Sequence, residues 1–254
     1  MNDPTQAVIL AAGKGTRLKD VGADKPKALL RIAGVPLIDH VRTSLASVGV
    51  TRVLVVVSHF AEQIEVHLKE HPIRGQKAQT VWQPVPQGTG QAMELAVPDL
   101  KPGPVWITYA DVLTDPAEYA RMLETFRTEE WDALLGVVSA DQNPCHGAAV
   151  LCDEDLEVDN VVADLGNKHP EALWLSAGIF IVQPSLFPHL DAVLPSSRGE
   201  FELGDAVAHL IQGGGEVHAH PLRSRWGEVV TQGDIERVEG LMAKLKEQQE
   251  GDAK

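Results

Sequence analysis

Short apolar runs alternate with segments of helical period through the first 140 residues, and that order restricts the fold more than any other feature of the chain. Gln6–Ala12 (QAVILAA) is an apolar run ending at Gly13, short enough for a buried strand of a parallel sheet. Pro36 opens a helical pattern with Leu37, Val41, Leu45 and Val48 at helix spacing, and Gly49 closes it. Val53–Ser58 reads as the next buried strand, Ala61–Lys69 as a helix, Val105–Tyr109 as a strand leading to Asp111, Pro116–Arg127 as a helix and Asp132–Ala140 as a strand. Such alternation predicts the α/β class: a Rossmann-like three-layer α/β/α sandwich on a mixed, mostly parallel sheet.

The second half changes texture. Ala148–Leu151, Leu156–Val162 and Leu173–Val182 are strand-like pieces between polar turns. Glu200–Gln212 reads as a helix, Glu216–Pro221 as an alternating strand, and Asp234–Gln249 as a terminal helix beyond which Glu250–Lys254 are expected to fray. No repeat or long linker interrupts the chain. One domain over residues 1–254 is expected, the second half adding strands and a lid-like wall to the first.

Composition closes off other classes. With 44% apolar and 23% charged residues, the chain is neither disordered, collagen-like nor a coiled coil. No apolar run approaches the ~18 residues of a bilayer span, and MNDPTQAVIL has no basic segment before its apolar stretch, so no signal peptide is expected. Cys145 and Cys152 alone make no disulfide framework, which points to a reducing cytoplasm. A net charge of −14 argues against nucleic acid or an anionic membrane as partner. Yet Gly13–Arg31 carries Lys14, Arg17, Lys19, Lys25, Lys27 and Arg31 against only Asp20 and Asp24. That local excess suggests a place built for an anion.

LAAGKGTRL (Leu10–Leu18) puts a glycine-rich turn at the end of the first strand, where open α/β sheets bind phosphates. Glycines let backbone N–H groups approach an anion, and Lys14 and Arg17 add charged donors. The dinucleotide fingerprint fails because Leu18 stands where its third glycine belongs, which disfavours a dehydrogenase, and the P-loop pattern is absent.

LAAGKGTRL followed by KPKALLRIAGVPLIDH (Lys25–His40) resembles the sugar-1-phosphate nucleotidylyltransferases, or NDP-sugar pyrophosphorylases. WQPVPQGTGQAMELA (Trp82–Ala96) resembles their base-reading segment; its QGTGQAM is close to the uridylyltransferase domain acting on N-acetylglucosamine-1-phosphate, and its Gln-Pro-x-Pro-x-Gly frame to glucose-1-phosphate thymidylyltransferases. TYADVLTD (Thr108–Asp115) matches the strand end carrying a metal-binding aspartate, SAGIFIV (Ser176–Val182) the sugar-site strand, and RWGEVVTQGDIERV (Arg225–Val238) the closing Trp-x-Asp-Val-Gly-Thr segment. The resemblance spans about Gln6–Leu241.

It implies a nucleotide-diphospho-sugar transferase fold, with a nucleotide-binding half over about 6–110 and a sugar-phosphate half over about 111–241. The implied reaction joins an NTP, UTP or dTTP, to a sugar-1-phosphate and releases pyrophosphate, with Mg²⁺ as cofactor. A phosphate monoester is mostly dianionic at pH 7 and needs no general base to attack the α-phosphorus. Catalysis is then positioning and charge neutralisation. By the resemblance, Asp111 and Glu228 hold the metal, glutamate standing where the family usually has aspartate. Arg17, Lys27 and Asp111 are the catalytic set, with Lys27 neutralising charge near the α-phosphate. Leu10, Ala11, Ala12, Gly13, Lys14, Gly15, Thr16, Arg17, Gln83, Gly88 and Thr89 form the nucleotide site, where Gln83 and Gly88 read the pyrimidine edge. Gly147, Asp164 and Ser176 fall at the sugar site.

Departures gather in the sugar half. His146 replaces the family's tyrosine, Ser176 its asparagine, its glutamate falls near Ala163 or Asp164, and the following lysine is missing unless Lys168 substitutes. These leave open a cytidylyltransferase acting on a non-sugar phosphate and a nucleotide-sugar sensor without turnover. The family's uridylyltransferase often carries an acetyltransferase domain of hexapeptide repeats; the chain ends before any such repeat, so acetyl transfer is not implied. His218 and His220 in VHAHP share a strand face, and Trp82 and Met93 read as packing residues.

Overall fold

A computed structural model describes residues 2–13, 15, 18, 25–142, 147–162 and 173–252, with side chains omitted at 142 and 245–252. Lys14, Thr16, Arg17, Cys145, His146, Ala163, Asp164 and Lys168 therefore lie outside the described residues. The elements are β1 (Gln6–Leu10), β2 (Arg31–Ile32), β3 (Val35–Pro36), α1 (Leu37–Ser47), β4 (Arg52–Val57), α2 (Ala61–Glu70), β5 (Lys77–Trp82), α3 (Thr89–Ala96), β6 (Val105–Tyr109), β7 (Val112–Thr114), α4 (Pro116–Phe126) and β8 (Ala133–Ser139). They continue with β9 (Ala149–Cys152), β10 (Val158–Val162), β11 (Trp174–Val182), α5 (Phe187–Leu190), α6 (Leu203–Gln212), β12 (Val217–Pro221), β13 (Trp226–Glu228) and α7 (Gln232–Asp252).

Nine strands make one sheet in the order β10-β9-β11-β6-β1-β4-β5, with β8 on the other side of β11 and β12 beyond it. β1, β4, β5 and β6 are parallel; β11 runs against β6, β8 and β9, and β10 runs against β9. β11 and β10 thus oppose the other seven strands, the mixed, mostly parallel sheet expected. β8–β12 extend the same sheet. Side-chain alternation sorts the core into two layers. Val8, Leu10, Leu54, Val56, Phe180 and Val182 pack with α3, α5 and α6, while Ala7, Ile9, Val53, Val55, Ile179 and Ile181 pack with α1, α2 and α4. Helices on both faces complete the sandwich. A third, smaller core holds Leu18, Leu30, Ile32, Leu37, Leu113, Val229 and Val238, tying the glycine loop to β7, β13 and α7.

Local chemistry sets the ends. Gly49, at φ +85°, closes α1: its N–H donates to Ala46 C=O and that of Val50 to Leu45 C=O, both at 3.1 Å. Asp115 caps α4 by accepting the Ala117 N–H at 2.9 Å, with Pro116 in the first turn.

Three expectations change. β5 and α3 are unpredicted elements: β5 is an edge strand with only Val81 fully buried, so its run carries no strong apolar signal. Trp82 does not pack as expected; it is 55% exposed, because its neighbours Val81 and Gln83 take the inward positions at the end of that edge strand. The terminal helix continues to Asp252 instead of fraying at Glu250, since Lys, Glu and Gln are good helix formers. Met93, by contrast, is fully buried.

The sheet is irregular at one place in β11, which slips register between Ser176 and Phe180, a bulge. Gly178 sits there at φ +71°, and a Cβ on it would lie 2.8 Å from the Tyr109 ring. Trp226 Nε1–H donates to the bulge carbonyl of Ala177 at 2.9 Å. Both glycine properties are required, so Gly178→Ala is expected to lower the unfolding free energy by about 2 kcal/mol. The check is the urea midpoint at unchanged slope.

The paired histidines are structural. His218 stacks on Trp131 with centroids 4.5 Å apart, and His220 Nδ1 lies 2.9 Å from Thr125 Oγ1 while its buried Nε2 has no partner among the described residues. Burial pushes both imidazoles below their usual range. An unfolded histidine protonates near pH 6.5, so below that pH the unfolded chain binds more protons and stability falls. His220→Gln is expected to flatten the loss of stability between about pH 6.5 and 5, measured by urea denaturation at each pH.

Candidate active site

The described site residues gather on the rim formed by the carboxyl ends of β1, β4, β5 and β6. Ala11 N–H donates to Val56 C=O at 2.9 Å and Ala110 N–H to Leu10 C=O at 3.1 Å, so the turn Ala11-Ala12-Gly13 leaves between the ends of β4 and β6. Leu10 and Ala12 are buried and Gly13 is exposed. Gly15 adopts φ +61°, which favours glycine, and a Cβ there would touch Lys27 Cβ at 3.5 Å. Leu18 N–H returns to Gly15 C=O at 2.9 Å. The glycine turn thus lies directly against Lys27.

Lys27 follows Pro26, whose φ of −65° starts a single 3₁₀ turn. Its Nζ pairs with Asp111 Oδ2; the two side chains are 15% and 20% exposed. Asp111 stands in the turn between β6 and β7. Its carbonyl accepts the Val229 N–H at 3.0 Å, and Glu228 pairs with Val112 across the β7–β13 ribbon. That ribbon brings Glu228 to the neighbourhood of Asp111, although Val112 and Glu228 lie far apart in the chain. Burial pushes the Tyr109 phenol well above its usual range, opposed by a hydrogen bond to Thr89 and reinforced by the charges of Glu202, Glu228 and Asp111. The Asp111 carboxylate beside Lys27, with the Glu228 carboxylate acting on the same tyrosine, offers hard oxygen donors of the kind Mg²⁺ takes while keeping water and phosphate in its remaining positions. Among the described residues, no group of three or more His, Cys, Asp and Glu could hold a metal by itself.

On the base side, Gln83 is 1% exposed. Its Nε2 donates to Gly88 C=O at 3.3 Å and to Gln91 Oε1 at 2.7 Å. Gly88 has φ +111°, and a Cβ there would collide with the Phe201 carbonyl oxygen. Phe201 is itself pinned there: its N–H donates to Gln87 C=O and its C=O accepts from Gly90 N–H, both at 2.7 Å. Thr89 Oγ1 accepts the Leu203 N–H at 2.9 Å at the start of α6. The glycines and threonine of QGTG therefore serve packing against the second half, whatever they do for a ligand. Tyr109, Gln91 and Phe201 were not singled out from the sequence. Gln91 had a signal in its four-residue spacing from Gln87; Phe201 had none, because its contact is made across the fold.

On the sugar side, Gly147 has φ +114° and a Cβ there would lie 3.4 Å from the Ser176 carbonyl oxygen. Ser176 N–H donates to Ala148 C=O at 2.9 Å, and Ser176 Oγ accepts from Gly178 N–H at 3.3 Å. Because β11 runs against β6, its start lies on the rim where β6 ends. A cavity of about 220 Å³ between α1, β7 and α4 and a groove of about 450 Å³ beside α2 lie elsewhere and include none of these residues.

A sheet rim that carries a glycine turn, a lysine–aspartate pair and a second acid on an adjoining ribbon has the form of a phosphate-handling site, and comparison with known proteins gives the family. Residues 6–241 match the Nucleotidyl transferase family, and the chain belongs to it. It is 29% identical over 223 residues to the bifunctional protein GlmU of Methanococcus maripaludis, covering 88% of this chain and 51% of that protein. It is also 29% identical over 214 residues to the UTP–glucose-1-phosphate uridylyltransferase AglF of Haloferax volcanii, covering 84% and 86%. The chain thus spans about half the length of the GlmU relative. The structure of the inositol-1-phosphate CTP transferase from T. maritima shares the fold at a TM-score of 0.82 and 23% identity, covering 97% of this chain and 98% of that one. Among the described residues, no helix is long and apolar enough to cross a membrane.

Thr89 Oγ1 accepts the Leu203 N–H and lies beside the Tyr109 hydroxyl. Thr89→Val is expected to cost about 1–2 kcal/mol of stability, whereas Thr89→Ser keeps it. Thermal melts of the two variants make the comparison.

Proposed function

We propose that this chain transfers a nucleoside monophosphate from UTP or dTTP to a sugar-1-phosphate, releasing pyrophosphate, with Mg²⁺ and in the cytoplasm. The observation that carries this reading is the Lys27–Asp111 pair against Gly15, with Glu228 delivered beside it by the β7–β13 ribbon. Bringing two phosphates together is the electrostatic difficulty of the reaction, and a fixed lysine beside acids that accept a cation answers it. Gly15, with Thr16 and Arg17, takes the β- and γ-phosphates, and Lys27 neutralises charge at the α-phosphate. Asp111 and Glu228 would hold Mg²⁺, which supplies further charge neutralisation. Gln83 and Gly88 contact the base. Gly147, Asp164 and Ser176 hold the acceptor, whose phosphate dianion attacks without a general base.

A second reading is cytidylyl transfer to a non-sugar phosphate. It is favoured by Ser176 in place of the family's asparagine and by the near-complete overlap with the inositol-1-phosphate CTP transferase. The relatives named for GlmU and for UTP–glucose-1-phosphate uridylyl transfer favour the first reading.

The test is pyrophosphate release with Mg²⁺ across UTP, dTTP, CTP, ATP and GTP, each paired with glucose-1-phosphate, N-acetylglucosamine-1-phosphate and inositol-1-phosphate. Turnover with UTP or dTTP and a sugar phosphate is expected; turnover with CTP and the cyclitol alone selects the second reading. Asp111→Ala is expected to lower the turnover by at least about 100-fold while the circular dichroism spectrum is unchanged. Full activity in that variant overturns the metal assignment.

A further inference from the structure

We propose that Gln91 is a positioning residue: it holds the Gln83 carboxamide with its oxygen toward the nucleobase, and so makes the site select uracil or thymine over cytosine. The inference rests on the reading of Gln83 as the base contact.

A carboxamide offers two N–H donors and one acceptor oxygen, and its two ends are nearly the same shape. Which end faces a ligand is therefore decided by its other partners. Gly88 C=O can only accept, so the nitrogen of Gln83 must be the end that faces it, at 3.3 Å. The second N–H goes to Gln91 Oε1 at 2.7 Å. Gln91 is held in turn, because its Nε2 donates to Gln87 Oε1 at 2.5 Å. Both donors of Gln83 are spent, and its side chain is almost wholly buried. Only Oε1 remains to meet a base.

An oxygen facing ring position 3 welcomes the N3–H of uracil or thymine. It repels the bare N3 lone pair of cytosine. To accept cytosine, Gln83 would have to turn over, setting its oxygen against the Gly88 oxygen and breaking the Gln91 bond. Gly88 gives the sense of the amide; Gln91, through the shorter bond, holds it there. Without Gln91, one long hydrogen bond opposes rotation.

The test needs no knowledge of the acceptor. UTP and CTP binding in Mg²⁺ is measured by titration calorimetry for the unaltered chain, Gln91→Leu, Gln91→Glu and Gln83→Ala. The unaltered chain is expected to prefer UTP. Gln91→Leu is expected to shrink the UTP/CTP affinity ratio about tenfold, the worth of one hydrogen bond in a buried site. Gln91→Glu can only accept from Gln83, so it keeps the ratio even if its charge weakens both triphosphates alike. A merely structural Gln91 would move both affinities together and leave the ratio alone. If Gln83→Ala erases the preference but Gln91→Leu does not, the proposal is wrong and the base contact stands. If Gln83→Ala leaves the preference intact, or the unaltered chain prefers CTP, the base contact itself falls and the proposal with it.

Discussion

The antiparallel insertion of β11 holds the two halves of the molecule together. β1, β4, β5 and β6 form a parallel sheet from the first half of the chain. β11 pairs with β6 on one side and with β8 on the other, and its first residues also pair with β9. A parallel strand at that place would start at the far edge of the sheet. Running the other way, β11 begins on the rim where β1 and β6 end, which puts Ser176 on the same rim as the turn that carries Asp111. At the register slip Gly178 supplies the backbone conformation and, having no Cβ, leaves the Tyr109 ring its room, and Trp226 ties the bulge to the ribbon that carries Glu228.

Much of this was legible in the sequence, and the parts that were not share a cause. β1, β4, β6, α1 and α4 were readable because buried parallel strands are continuous apolar runs and amphipathic helices repeat with their own period. Gly15 stood out in a glycine-rich turn, while Lys27, Asp111 and Glu228 stood out only through the family resemblance; the fold brings Gly15 to Lys27, Lys27 to Asp111, and Glu228 to the ribbon beside that turn. β5 escaped because an edge strand needs only one buried face, and KAQTVW shows only a trace of one. Phe201 escaped because its reason for being there is Gly88, more than a hundred residues away in sequence; no local pattern encodes a contact that only the tertiary fold creates. The sequence singles out Gln83 but not the sense of its amide, which depends on a backbone carbonyl and a second glutamine.

The charge of this acidic chain is unevenly placed. The net charge is −14, yet the glycine loop and its flank are basic. Lys27 and Asp111 are only partly exposed, so their charges are screened less than surface charges while retaining some water. Pro26 and the 3₁₀ turn fix the lysine's backbone, and the β7–β13 ribbon fixes the aspartate's. Neither charge has to be assembled when a substrate arrives. Opposite charges held side by side give phosphate and cation each a counterpart, which suits a reaction whose barrier is mutual repulsion.

The loop around Gly88 and the strands of the second half are not independent modules. Thr89 starts α3 and also receives the first N–H of α6, and Gly88 can lie where it does only because it has no Cβ to strike Phe201. Tyr109 touches both through one side chain: its hydroxyl lies beside Thr89 and its ring fills the space a Cβ on Gly178 would need. Packed interiors yield little to a displaced ring. A change in the acceptor half that moves β11 must therefore move Tyr109, and Tyr109 carries the motion to the loop that orients Gln83. The start of β11 and the loop around Gly88 are thus mechanically coupled through one buried ring.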